Sequence, residues 1–310
     1  MKKYIPSIFI TIAFLTTSYS AISQSAALLN KWGEFGDKPG QFKFPTMIAT
    51  DQASNVYVVD QHNHRIQKFD ADGNFITMWG KQGNGAGEFY YPYGVAVDSK
   101  GNVYVSDMNN NRVQKFTSKG DYIASVGSYG TRDSQLKYPY GMAIDNSDVL
   151  YVIDAFNYCI KKFTADLTFI SKWGSQESIG IRLYMPHEIA ITKDGNVILS
   201  DRQNHRLSIF SKDGKLVKRW GEYGEGKDAR GGQYSEPHGL AVSSSGDIFV
   251  TDRYNFRVQK LNEGGKPQLQ WLTSGNFEDD KHFPLGIAVS KEGNLYVVDH
   301  YSHSVQKYKL

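Results

Sequence analysis

"YPYGVAVDSKGNVYVSDMNNNRVQKFTSKGDYIASVG", residues 91–127, decides the fold. Three runs rich in β-branched and aromatic residues, "GVAVD", "NVYVSD" and "RVQKF", are separated by turn-forming sets such as Ser99-Lys100-Gly101-Asn102 and Ser118-Lys119-Gly120-Asp121. A fourth run, "YIASVG", ends the unit. Four short strands joined by tight turns make a small antiparallel sheet. Such a sheet cannot bury both of its faces alone, so the unit predicts neighbours of its own kind.

The neighbours are present. Pro45, Pro92, Pro139, Pro186, Pro237 and Pro284 follow one another at 47, 47, 47, 51 and 47 residues. Asp60, Asp107, Asp154, Asp201, Asp252 and Asp299 keep the same spacings. A repeat of this length with four strands reads as a propeller blade. The last copy has three strands and stops at Leu310, while residues 28–33, "LLNKWG", match the fourth strands "FITMWG", "FISKWG" and "LVKRWG". The expected fold is therefore all-β. It is a six-bladed β-propeller of four-stranded antiparallel blades, with the N-terminal strand 28–33 completing the last blade and one domain spanning 28–310.

The unit resembles the NHL repeat along the whole of 28–310, through the pattern P-x-G-φ-A-φ-D…G-N-φ-Y-V-x-D…N-x-R-V-Q-K-F. Asn63, Asn110, Asn157, Asn204 and Asn255 recur, as do Arg65, Arg112, Arg206 and Arg257. An Asp and an Arg five residues apart are expected to pair across the turn between the second and third strands. Cys159 and Ser304 take the arginine's place in blades three and six, so those corners must be held differently.

Lys2 and Lys3, the apolar run "IPSIFITIAFL" and the small residues of "TTSYSAISQSAA" read as a secretory signal peptide over residues 1–23. The apolar run is too short to span a bilayer. Losing it removes two of the charges in a net +3, which leaves a nearly neutral chain without the basic field that nucleic-acid binding needs. One cysteine cannot form an internal disulfide, so the core must supply the stability. The expected location is periplasmic or extracellular, as a monomer with no membrane insertion in the mature form.

Function in a propeller sits on residues that vary between blades at strand ends and loops. The residues after the prolines are Thr46, Tyr93, Tyr140, His187, His238 and Leu285. The pairs after the aspartates include Arg202-Gln203, Arg253-Tyr254 and His300-Tyr301. Antiparallel neighbours put both sets at one end of the blade. Tyr93, Tyr140, His187, Arg202, His238, Arg253, Tyr254, His300 and Tyr301 are therefore the candidate ligand-binding rim. Its cationic and titratable members gather mainly on blades four to six, with His62, Tyr93 and Tyr140 as the exceptions. Four extra residues in "GEYGEGKDARGGQYSEP" lengthen the loop into blade five and are expected to overhang this face as a flexible lip.

Pro186-His187 followed by Asp201-Arg202 also resembles a blade of the peptidyl-hydroxyglycine α-amidating lyase. That resemblance implies three Pro-His histidines on alternating blades around one zinc, with a catalytic tyrosine and arginine nearby. His187 and Arg202 match, but Tyr93 and Leu285 stand where the other ligands belong, and Phe156 replaces the tyrosine. A register starting at His238 and Arg253 meets Thr46 and Tyr140 instead. Under this alternative, His187 and His238 are the metal candidates, Zn the metal, and Arg202 and Tyr254 the catalytic candidates of a lyase or hydrolase. "DADGN" at residues 70–74 imitates a calcium loop, but Lys81 stands at the closing acidic position, so a hairpin turn is expected. The residues favour a binding module for a protein, peptide or glycan ligand, with anionic or polyhydroxylated groups suiting the Arg, His and Tyr side chains.

Overall fold

The second strand of each repeat alternates nothing. In "VYVVD", "VYVSD", "LYVID", "VILSD" and "IFVTD" every side chain is buried. A strand covered on both faces must lie between two other layers, which is what stacking the blades provides. The computed structural model describes residues 26–174, 185–273 and 282–310, and the predicted leader lies outside them. Six four-stranded antiparallel sheets surround a central axis. In blade one the order from axis to rim is Pro45–Thr50, Val56–Asp60, Arg65–Phe69 and Phe75–Trp79. The other blades repeat it. Among the described residues no helix exceeds the three-residue 3-10 turns that follow the blade aspartates, and none is long and apolar enough to cross a membrane.

Blade six takes its outer strand from the other end of the chain. Ala27–Trp32 pairs antiparallel with Ser304–Lys309, with Trp32 opposite Val305. Trp32 then touches both sides of the junction, 5.9 Å from the Phe69 ring of blade one and 6.1 Å from the Tyr296 ring of blade six. The tryptophans at this position in other blades also bridge junctions. Trp79, Trp173 and Trp220 lie over Gly120, Gly214 and Gly265 in the hairpin turns of the following blades. These glycines have φ of +94°, +80° and +81°, and a Cβ there would meet the indole at under 3 Å.

There is one hydrophobic core per blade junction. Tyr57, Ile66, Tyr93 and Val105 join blades one and two. Ile198, Leu207, Leu240 and Val250 join blades four and five. Phe42, Phe69, Tyr296 and Val305 join blades six and one. Stability is therefore distributed around the ring, and the ring must close.

The repeated corners pair as their spacing implies. Arg65 Nε donates to Asp60 Oδ2 at 2.7 Å, and Arg112 and Arg257 make the same bond to Asp107 and Asp252, each at 2.8 Å. Each guanidinium then uses its remaining donors on carbonyls of the loop entering its own blade, as Arg257 does on Ala229, Arg230 and Gln233. In blade three, where Cys159 replaces the arginine, Lys161 reaches from two residues further on. Its Nζ lies 3.0 Å from Asp154 Oδ2 and also donates to the carbonyls of Arg132 and Gln135. In blade six, His282 Nδ1 contacts Asp299 Oδ2, and Ser302 and Ser304 share a hydroxyl bond of 2.7 Å. The ion pair survives in blade three with a different cation, while hydrogen bonds hold the corner of blade six.

Two loop expectations resolve differently. The 70–74 turn is a hairpin in which Asp70 Oδ1 accepts from the N–H groups of Asp72 and Asn74, both at 2.9 Å. The long loop into blade five is pinned. Glu222–Tyr223 pairs in parallel with Gln233–Tyr234, and the Asn255 side chain bonds Gly224 and Gly226. Those bonds correct the expected flexible lip.

Candidate functional site

Pairing Pro45 with Asp60, and its equivalents in every blade, places the residue after each proline beside the turn after each aspartate. All the candidate residues therefore reach one end of the axis, but at different depths. Thr46, Tyr93, His187, His238 and Leu285 are buried in the channel wall below the rim. Arg202, Arg253, Tyr254 and His300 are partly covered, and Tyr301 is open to solvent.

The deep layer is a hydrogen-bonded cluster. The Tyr93 hydroxyl, from blade two, lies 2.6 Å from His187 Nδ1 and 2.9 Å from His238 Nε2. One tyrosine thus spans the axis to blades four and five. The Tyr140 ring stacks on Tyr93 at 4.8 Å and lies 4.9 Å from His187. Arg202 Nη1 is 2.9 Å from His187 Nε2. A guanidinium only donates, so His187 Nε2 accepts and a neutral His187 carries its proton on Nδ1. That proton goes to the Tyr93 oxygen, and the Tyr93 hydroxyl donates on to His238 Nε2. The relay ends at His238 Nδ1, which is buried and has no partner.

Electrostatics agree with neutral imidazoles. Burial, then the Arg202 and Arg253 charges, hold His187 well below the ordinary histidine range. Burial, then His187 and the two arginines, do the same to His238. Burial lowers His300 to about 4 although its Nδ1–H donates to the Pro45 carbonyl at 2.9 Å. Burial likewise pushes the Tyr93 phenol well up.

The zinc of the lyase resemblance does not fit these residues. The two imidazole nitrogens that face one another converge on the Tyr93 hydroxyl, and the other nitrogen of His187 accepts from Arg202. Leu285 offers no third ligand. Among the described residues, no group of three or more His, Cys, Asp and Glu side chains is placed to hold a metal ion. Tyr254, the other catalytic candidate of that reading, packs 5.6 Å from Phe283 and lies under Arg253.

Two carboxyl groups at this end escaped the pattern of candidate residues. Glu236 precedes Pro237, where Phe44, Tyr91, Tyr138, Met185 and Phe283 stand in the other blades. Its Oε2 accepts from Arg202 Nε at 2.6 Å and from Arg202 Nη2, and Arg253 Nη1 lies 3.4 Å away. Arg253 Nε is buried without a partner. The Arg253 guanidinium lies 4.9 Å above the Tyr254 ring and 5.5 Å from that of Phe283. Two cations thus share one carboxylate beside neutral imidazoles, which among the described residues leaves one positive charge at the mouth without a carboxylate of its own.

Glu188 is the second. It stands where Gly94, Gly141, Gly239 and Gly286 bring adjacent inner strands together, and a Cβ on Gly141 would come within 2.5 Å of its Oε1. Burial raises its carboxyl to about 8 against the N–H groups of Ile189 and Met142, so it is protonated at neutral pH. A raised carboxyl contributes stability that is complete below its unfolded value of about 4.3 and lost as pH climbs through the folded value. Glu188→Gln is therefore expected to match the wild type near pH 4 and to exceed it by about 3 kcal/mol near pH 7. Urea unfolding at both pH values measures this, and a constant difference across the range refutes it.

The opposite end of the channel is a polar depression of about 470 Å³. Its Asp51 and Asp145 already cap their own hairpin turns through two backbone N–H bonds each. Turn chemistry accounts for those carboxylates.

Comparison with known proteins agrees with this architecture. A family model described as NHL repeat matches residues 183–210, 234–261 and 282–308, and one described as 6-bladed beta-propeller matches residues 47–125. Protein brain tumor of Drosophila melanogaster is 47% identical over 45 residues, 14% of this chain and 4% of that protein. The B-box type zinc finger protein ncl-1 of Caenorhabditis elegans is 47% identical over 45 residues, 14% of this chain and 5% of its own length. Among solved structures, virginiamycin B lyase from Staphylococcus aureus, crystallised with quinupristin, aligns with a TM-score of 0.63 at 13% identity, covering 91% of this chain and 99% of the other. A gluconolactonase from Xanthomonas campestris gives 0.65 at 12% identity over 87% and 88%. A protein of unknown function from Bacteroides thetaiotaomicron gives 0.64 at 18% identity over 90% and 74%. At these identities the likeness is one of fold.

Proposed function

The chain is an NHL-repeat six-bladed β-propeller, and from that premise we propose that it is an exported binding module whose ligand enters at the mouth on blades four to six. A propeller names no chemistry by itself, so the reading rests on the site. The observation that carries it is the pair of guanidiniums sharing one carboxylate, with Arg253 Nε left unpartnered. A partly covered mouth with one spare positive charge favours an anionic group on the ligand. Tyr254, Phe283 and Tyr301 beside it offer ring faces for a sugar or an aromatic body. The leader-like residues 1–23 support export.

Screening small carboxylates, phosphates and sugar acids by thermal shift identifies a working ligand. Arg202→Ala combined with Arg253→Ala is expected to weaken that ligand about ten- to a hundredfold while the melting temperature holds. Unchanged affinity would move the site away from this mouth. Near-stoichiometric zinc in the purified protein, lost when His187 and His238 are both alanine, would favour a metal-dependent lyase or hydrolase instead.

A further inference from the structure

We infer that Glu236 is a built-in ligand mimic: it fills the Arg202–Arg253 clamp until the carboxylate of a ligand displaces it. The inference rests on the binding reading above and names both the group that is recognised and the event of recognition.

Three observations carry it. The first is that Glu236 is out of place in the repeat. Residues before five of the six blade prolines share one left-handed backbone conformation, with φ of 50° at Phe44, 54° at Tyr91, 51° at Tyr138, 54° at Met185 and 56° at Glu236. Backbone geometry therefore did not select a carboxylate here; only the two arginines do.

The second is that the fit is incomplete. Arg202 Nε, Arg202 Nη2 and Arg253 Nη1 all address a single oxygen of Glu236. A carboxylate has two oxygens and suits a guanidinium best through two parallel bonds. Glu236 is tethered at the pre-proline position and satisfies Arg202 well but Arg253 only at 3.4 Å. A carboxylate arriving free of that tether can use both oxygens.

The third is the state of Arg253. Its face is covered by Tyr254 and Phe283, and its Nε–H is buried without an acceptor. A donor held that way is one hydrogen bond short, and an incoming carboxylate oxygen is the group that completes it. The flanking rings place the ligand's body over Tyr254 and Phe283, with its carboxylate pointing inward at the arginines.

Acetate is the probe, followed through the Nε–H signals of Arg202 and Arg253 in ¹⁵N spectra at constant ionic strength, with phosphate in parallel. Wild type is expected to take acetate weakly, and Glu236→Gln at least tenfold more tightly. Glu236→Ala should behave like Glu236→Gln, and all three proteins should melt alike. Equal or weaker acetate binding in both variants would show that Glu236 positions the arginines, which overturns the mimic and leaves the mouth reading standing. No response of either arginine to acetate in any of the three proteins overturns both. A stronger response to phosphate than to acetate overturns the carboxylate assignment alone.

Discussion

A chain that begins at Phe42 is expected to melt roughly 10–20 °C below one that begins at Gln24, or to be insoluble. Without Ala27–Trp32, the strand Ser304–Lys309 becomes an unpaired edge, and Trp32 leaves a gap between Phe69 and Tyr296. Truncating a packed tryptophan alone costs about 3–5 kcal/mol. Every other junction joins residues near in sequence, whereas this one joins the two ends, so its loss opens the ring at its most distant contact. Thermal melting by circular dichroism is the measurement, and equal midpoints would show that the ring does not depend on the N-terminal strand. Trp32→Ala in the longer chain isolates the side chain's share of the loss.

The second large effect lies at the corners. Arg257→Ala is expected to cost about 3–5 kcal/mol in urea unfolding, because it strands the fully buried Asp252 carboxylate and three loop carbonyls. Burial already raises the Asp252 carboxyl although Arg257 lies against it, so removing the arginine leaves only neutral donors, from Asn255, Gln259 and the Ser235 N–H, against desolvation. Arg206→Ala should cost less than half as much, since 27% of that side chain is exposed and water shares its charge. Changing Arg257 to Met and Asp252 to Asn together should recover part of the loss, because no buried charge is then left alone. A neutral unfolding curve for Arg257→Ala would mean that the remaining donors and water, and not the guanidinium, satisfy Asp252.

Much of this was legible residue by residue. Prolines and aspartates recurring in step, at 47 residues and once at 51, announced six copies. "LLNKWG" matched the fourth strands closely enough to show where the missing one comes from. The Asp-to-Arg spacing foretold the corner bonds, since five residues across a tight turn can face only one way. Those features are local, and each is repeated around the ring.

The site was legible only in outline. Position in the repeat brought Tyr93, Tyr140, His187, Arg202, His238, Arg253, Tyr254, His300 and Tyr301 to one end of the axis. Depth was not written there: Tyr93 and the two histidines are bonded to one another below the rim, and Tyr301 stands outside it. Glu236 and Glu188 did leave a trace, as the one charged residue in a mostly aromatic column and the one in a mostly Gly column. Comparing columns would have flagged them without saying what they meet.

By itself, then, the sequence determined the blade count, the strand order, the corner pairs and which end of the ring carries the variable residues. All of these follow from periodicity and from turns a few residues long. The tertiary structure alone decided that Lys161 stands in for a missing arginine in blade three. It also decided that one tyrosine occupies the point where two imidazoles converge, and that Glu236 holds both arginines. Tyr93 meets His238 across 145 positions of sequence, and Arg202 meets Glu236 across 34. Such contacts depend on how far side chains reach across a closed ring, and reach is set by ring closure and packing, for which a repeat pattern has no term.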